Sequence, residues 1–195
     1  MAILGRRSIL KYMDKGDIVI TPFNPNNLGL MQYDVTLGDV IYRVKHIGAL
    51  KQCFQSLFNR NGFCIDLSKH NSQERFKRIE VDNSGFIIGS GEVVLSCTSE
   101  LIGSNCANIV PMLETRSTLA RNFVFSHVSA GVGDPGFKGS WTLELVNCFP
   151  YPIKLIPGQR VSQVLFHFID EPDYDAPLYN RIYNNQKEPL VPKLI

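Results

Sequence analysis

No apolar run in the chain approaches the length of a membrane-spanning segment. The opening stretch, MAILGRRSILKYMDKG, lacks the apolar core of a secretory signal, so a cytoplasmic protein is expected. Cysteine is sparse and unpatterned. Cys53, Cys64, Cys97, Cys106 and Cys148 are odd in number and none forms a C-x-x-C pair, which argues against a disulfide framework or a zinc knuckle and leaves reduced thiols. Neither sign of charge dominates: 20 Lys and Arg against 18 Asp and Glu give a net charge of +2. That is too little for the basic face of a nucleic-acid binder, though it leaves room for one small anion at a local site. Neither nucleic acid nor a membrane is therefore an expected partner. Also missing are a G-x-x-x-x-G-K-[ST] phosphate loop, an H-E-x-x-H zinc helix, a G-x-S-x-G elbow and the zinc-deaminase pattern H-x-E…P-C-x-x-C. His46, His70, His127 and His167 do not cluster in sequence and suit structural roles.

What is present is 195 residues, 44% of them hydrophobic, enough for one domain with a proper core. Residues 8–13 have the pattern of a short amphipathic helix, with Gly16 as its stop. Short runs rich in Val, Ile, Phe and Thr follow at 17–20, 33–44, 92–98, 108–113, 123–130, 140–147 and 161–169, separated by turn residues. Strands of this length and spacing predict a mostly-β sandwich or barrel. Residues 46–83 are more polar and less regular and are expected as an excursion from it. Residues 1–170 are thus read as a single domain. Residues 171–195, rich in Pro, Asn and Tyr, form a tail that suits either disorder or docking over a ligand or a neighbouring subunit.

The segment 116–147, RSTLARNFVFSHVSAGVGDPGFKGSWTLELVN, concentrates the chemistry. Along residues 140–147, period-two geometry puts Trp141, Leu143 and Leu145 on one face and Glu144 with Ser140, Thr142 and Val146 on the other. Glu144 then either faces water or supplies a carboxylate to a site. Ser117 opens a run that suits one helical turn, whose free amides attract anions. Arg116 and Arg121 would add charge-assisted bonds to phosphate oxygens, or else stand solvated beside a capped turn. Residues 131–136, GVGDPG, match G-x-G-x-x-G in form only, because Pro135 interrupts the motif and a strand follows where a dinucleotide site needs a helix. They are expected to form a turn carrying Asp134.

This segment resembles the dCTP deaminase family, which shares its fold with the trimeric dUTPases. The matching runs are Arg116-Ser117-Thr118-Leu119-Ala120-Arg121, His127-Val128-Ser129-Ala130-Gly131, Asp134-Pro135-Gly136-Phe137-Lys138-Gly139 and Thr142-Leu143-Glu144-Leu145-Val146-Asn147. The likeness extends to Gln32-Tyr33-Asp34-Val35-Thr36-Leu37-Gly38, to Pro157-Gly158-Gln159 and Gln163, and to Tyr179 and Tyr183-Asn184-Asn185-Gln186 in the tail. The resemblance implies a mostly-β, distorted β-barrel of the dUTPase type with a few short helices. It implies a homotrimer with active sites between subunits, covered by the tail. It also implies hydrolytic, zinc-free deamination of dCTP to dUTP and ammonia, with Mg2+ carried on the triphosphate, no protein metal site, and dTTP as a regulator. On this mapping Glu144 is the proton shuttle and Arg121 holds it. Ser117 and the Ala130 carbonyl orient the water. Arg116, Thr118, Gln163, Tyr179 and Gln186 contact phosphates or sugar, Leu119 and Ala120 bind the substrate, and Asp134 contacts the 3′-hydroxyl. The backbone of Thr142, Leu143 and Glu144 reads the base.

Two alternatives follow from the same resemblance. Asp134 in its A-G-x-x-D setting is similar to the dUTPase aspartate, which implies a bifunctional enzyme that also cleaves dUTP to dUMP. A non-catalytic nucleotide-binding module is the other. The chain departs from the family pattern at Gly133, where many members have Ile, and at Ile182, where many tails carry a phosphate-binding lysine. Arg181 or Lys187 would have to stand in for it.

Overall fold

The computed structural model describes residues 2–45 and 75–192. Helix α1 (Arg6–Asp14) stops before Gly16 and buries Ile9, as the amphipathic pattern requires. Twelve strands follow from the β-branched and aromatic runs: β1 (Ala2–Ile3), β2 (Ile18–Thr21), β3 (Gln32–Thr36), β4 (Val40–Val44), β5 (Phe76–Glu80), β6 (Phe86–Ile88), β7 (Val93–Ser104), β8 (Ile109–Thr115), β9 (Val124–Phe125), β10 (Lys138–Asn147), β11 (Ile153–Leu155) and β12 (Arg160–Phe168). A second short helix, α2 (Ser117–Ala120), joins β8 to β9.

All pairings between these strands are antiparallel and build sheets of four, six and two strands. Strand β12 lies between β8 on one edge and β3 followed by β1 on the other. In the larger sheet β7 has β10 along one edge and β2 and β4 along the other. The mostly-β expectation holds. Its barrel is distorted, since pairing among the described residues leaves three sheets and no closed ring. Tyr33, Val35, Ile102, Leu143, Leu145 and Phe166, all fully buried, meet in the core between the sheets. Truncating one such leucine to alanine costs about 2–5 kcal/mol.

Three sequence expectations change. The run at 33–44 breaks into β3 and β4, because the amides of Leu37 and Gly38 turn to the carbonyls of Gln159 and Cys97. The end of the stretch read as irregular is a strand, β5, paired with β4, while residues 46–74 lie outside the described residues. The run at 123–130 is a strand only over Val124–Phe125. Beyond it, side chains take the amides that a ladder would use: Ser126 donates to the Thr115 hydroxyl at 3.0 Å and Val128 to the Glu144 carboxylate at 3.0 Å. The cysteines Cys97, Cys106 and Cys148 are free thiols, and burial pushes that of Cys97 up to about 12. Cys53 and Cys64 lie outside the described residues. No helix among the described residues is long and apolar enough to cross a membrane.

Candidate active site

Strand β10 has the alternation read from its sequence. Trp141, Leu143 and Leu145 are buried, and Thr142, Glu144 and Val146 are half-buried on the other face. Ser140 is buried as well, because the tail covers it: the Ser140 amide donates to the Gln186 carbonyl at 2.8 Å. The register against β7 shifts between Ser140 and Thr142, where the Trp141 amide donates to the Thr98 hydroxyl at 2.9 Å instead of to a strand carbonyl. Peptide groups alternate along a strand, so those of Trp141 and Asn147 point toward β7. Those of Thr142 and Glu144 point to the opposite edge. The tail occupies that edge at residues 138–140 and β9 occupies it at Val146 and Asn147. Between them a short stretch of strand edge has no strand partner among the described residues.

This open edge faces a cavity of about 400 Å3, within the range of small-ligand sites. Ala130, Asp134, Thr142, Glu144, Tyr179 and Gln186 line it together with Phe137, Trp141 and Tyr183. The aromatic wall is ordered, since Phe137 packs edge-on against both Trp141 (5.1 Å) and Tyr179 (5.9 Å). The Glu144 Oε2 accepts the Val128 amide, which ties the carboxylate to the segment bearing Ala130. Asp134 sits in the expected turn, closed by the Phe137 amide on the Asp134 carbonyl at 2.9 Å, and β10 follows as a strand. The dinucleotide reading is thereby excluded.

The remaining expected site residues lie elsewhere in the chain. Arg116 and Arg160 both contact the Asp34 carboxylate, at 3.4 and 3.2 Å, on the four-stranded sheet. Gln163 stands opposite Asp34 and Glu114 there. Residues 117–120 form the expected helical turn, with Arg116 extended at its N-cap. The amides of Leu119 and Ala120 both donate to the Arg116 carbonyl, and the Leu119 side chain is buried. Leu143 is fully buried and offers only backbone. Arg121 is exposed, and no ion pair joins it to Glu144 within the chain, because α2 precedes β9 outside the cavity. Arg181 and Lys187 also stand outside it, lining separate depressions. His127 lies 3.8 Å from Glu114. His46 and His70 fall outside the described residues.

Sequence reasoning left Asp34 and Arg160 without a role. The quoted run at 32–38 contained Asp34, but only the register of β3 against β12 brings it to the two arginines.

Fold and cavity together define a mostly-β nucleotide-processing scaffold. The family model described as dCTP deaminase-like matches residues 3–169. The chain belongs to that family. A protein of Methanopyrus kandleri named "dCTP deaminase, dUMP-forming" is 36% identical, covering 88% of this chain and 84% of its own. One of the same name from Methanosphaera stadtmanae is 33% identical over 100% of this chain and 94% of its own. The crystal structure of 2'-deoxycytidine 5'-triphosphate deaminase from Agrobacterium tumefaciens superposes with a TM-score of 0.61 at 17% identity, over 85% of this chain. The chain spans only 48% of that structure's length, so this likeness speaks for the fold.

Proposed function

We propose that the chain hydrolyses dCTP to dUMP, ammonia and pyrophosphate. The observation that carries this reading is the cavity that brings Glu144, Ala130 and Asp134 against the open edge of β10. A strand edge offers alternating N–H and C=O groups, which suit the donor and acceptor pattern of a pyrimidine. In the first step Glu144 takes a proton from water as it attacks C4 of the base. It returns protons to the ring nitrogen and to the departing amine, so that ammonia leaves and uracil remains. General acid–base transfer of this kind contributes about 10²–10⁴-fold. In the second step Asp134 activates a water for attack on the α-phosphorus, and pyrophosphate departs. The dUMP product, rather than dUTP, follows the names of the relatives and the presence of Asp134 beside Glu144.

Arg116, Ser117, Thr118, Arg121 and Gln163 lie outside the cavity of their own chain. In this reading they serve the cavity of a neighbouring copy within a homotrimer, where Arg121 would hold the partner's Glu144. Among the described residues no group of three or more His, Cys, Asp or Glu is placed to hold a metal ion. Mg2+ would arrive on the triphosphate oxygens, its usual mode, and supply charge neutralisation there.

The test is a product assay with dCTP and Mg2+. Ammonia, dUMP and pyrophosphate in equal amounts are expected. Glu144→Gln should lower ammonia release by roughly 10²-fold or more. Accumulation of dUTP without pyrophosphate would limit the chain to deamination, and binding of dCTP without turnover would overturn the reading.

A further inference from the structure

The tail reaches the cavity by a route that local sequence does not suggest. Gly136, at φ +91°, and Gly139 make room for it. A Cβ on Gly136 would stand 2.7 Å from the Leu178 side chain and 2.8 Å from the Tyr179 amide nitrogen. One on Gly139 would stand 3.0–3.3 Å from Gln186. Past this passage the tail lies along the free edge of β10. The Asn185 amide donates to the Lys138 carbonyl at 2.7 Å, and the Ser140 amide donates to the Gln186 carbonyl. The Gln186 amide group donates to the Ser140 carbonyl at 2.5 Å and to the Thr142 hydroxyl at 3.2 Å, and the Leu190 amide donates to that same hydroxyl at 3.1 Å. Gln186 and Val191 are buried. Residues 184–190 are therefore a strap whose inner side roofs the cavity at Thr142.

Between its two grips on Thr142 the strap carries Glu188, which turns outward to β5. The Arg78 guanidinium, on β5, donates to the Glu188 carboxylate from Nε at 2.9 Å and lies 2.8 Å from it at Nη2. Its Nη1 donates separately to Glu80 on the same strand at 2.7 Å, leaving Nε and Nη2 to Glu188. A two-pronged pair has a defined direction as well as an attraction.

We propose that Arg78 is a positioning residue: through Glu188 it sets where the strap crosses Thr142, and so shapes the roof over the nucleotide. This rests on the functional reading above for its effect on turnover, but the clamp itself does not. Arg78 touches no lining residue of the cavity as an ion-pair partner; it acts through Glu188.

The test follows amide hydrogen exchange in residues 184–190 of the intact protein without nucleotide, together with steady-state kinetics on dCTP. Arg78→Gln and Glu188→Gln should each speed exchange there roughly two- to fivefold and raise KM by a similar factor, with kcat less affected, as suits a partly exposed pair. Glu80→Gln, which removes a partner of Arg78 outside the strap, should leave Glu188 held and exchange near wild type. Arg78→Lys should restore part of the protection. Unchanged exchange in both Gln variants would overturn the clamp, and faster exchange with an unchanged KM would overturn the positioning role. If the wild-type protein does not turn over dCTP while the exchange response appears, the clamp stands and the assigned activity falls.

Discussion

Gly133 lines the cavity, and replacing it with alanine tests the packing directly. The added Cβ would stand 2.7 Å from Cζ2 and 2.9 Å from Cη2 of Trp141, and 3.1 Å from Cγ of Pro111. Ordinary carbon contacts lie at about 3.5–4.0 Å. Neither partner gives way easily. The Trp141 ring is 4% exposed, donates Nε1–H to the Ile102 carbonyl at 3.0 Å and packs edge-on against Phe137. The backbone of Gly133 is pinned by its amide on the Pro111 carbonyl at 2.9 Å. Gly133 is not among the glycines with positive φ, so the cost is steric and not conformational. Overpacking of this kind costs about 1–3 kcal/mol. The reduced freedom of the unfolded chain returns about 0.4–1 kcal/mol. The net loss of about 0–2.6 kcal/mol converts to a melting temperature lower by up to roughly 10 °C for a chain of this size.

The assay is thermal and urea unfolding of Gly133→Ala, Trp141→Phe and the double variant. A phenyl ring lacks the outer indole carbons that the new methyl would strike. The double variant should therefore be less destabilised than the sum of the singles by about 1 kcal/mol, a coupling that neighbours in contact show. Costs that add, or a Gly133→Ala protein more stable than wild type, would refute the argument.

Further expectations concern a buried acid, a buried amide and the assembly. Burial is the main reason the Glu100 carboxyl titrates above its usual 4.5, against the opposing pull of the Thr36 amide and hydroxyl that bond it. Its stabilising contribution is full below that value and is lost as pH rises through the raised one, so wild type should lose melting temperature relative to Glu100→Gln above about pH 4.5; parallel curves would contradict this. The Asn147 amide group donates to the carbonyls of Ile88, Gly89 and Tyr151 at 2.9–3.1 Å. Asn147→Asp would set a buried carboxylate against them and should cost about 3–5 kcal/mol in denaturant unfolding at neutral pH, with a loss below 1 counting against the reasoning. Mixed in equal amounts and reassembled, Glu144→Gln and Arg121→Ala should regain roughly a quarter of wild-type activity, because random trimers place an intact Glu144 against a neighbour's intact Arg121 at that frequency. No regain would place both groups in one chain's site.

Local chemistry made much of this legible. Strand β10 could be read because a period of two is a property of neighbouring residues, and Trp141, Leu143 and Leu145 do share the buried face. The 131–136 turn was legible because Pro135 forbids a helix there. The missed features depend on partners far apart in sequence. Residues 126–130 have strand-like composition, yet the Thr115 hydroxyl and the Glu144 carboxylate draw their amides out of the ladder. The Arg78–Glu188 pair joins residues 110 positions apart, and no pattern near either announces it. The two arginines on Asp34 are likewise brought together only by strand register.

The division of the expected site is itself informative. The carboxylates proposed to carry protons, Glu144 and Asp134, share one cavity, whereas Arg116, Ser117 and Arg121 lie outside it. Deamination of a triphosphate needs both sets on one substrate, for a proton carrier without cations leaves the phosphates unneutralised, and cations without a carrier leave the amine in place. One chain cannot bring them together without dismantling β10 or α2, each of which is anchored in the core through Leu143, Leu145 and Leu119. In the proposed homotrimer, rotational symmetry would resolve this without disturbing the fold, each copy lending its cationic turn to the next copy's cavity. The strap then acquires a second consequence. By lying along its own β10 it closes the side of the cavity at Thr142, so that in the proposed trimer a neighbour would complete the cavity beside Ala130 and Val132.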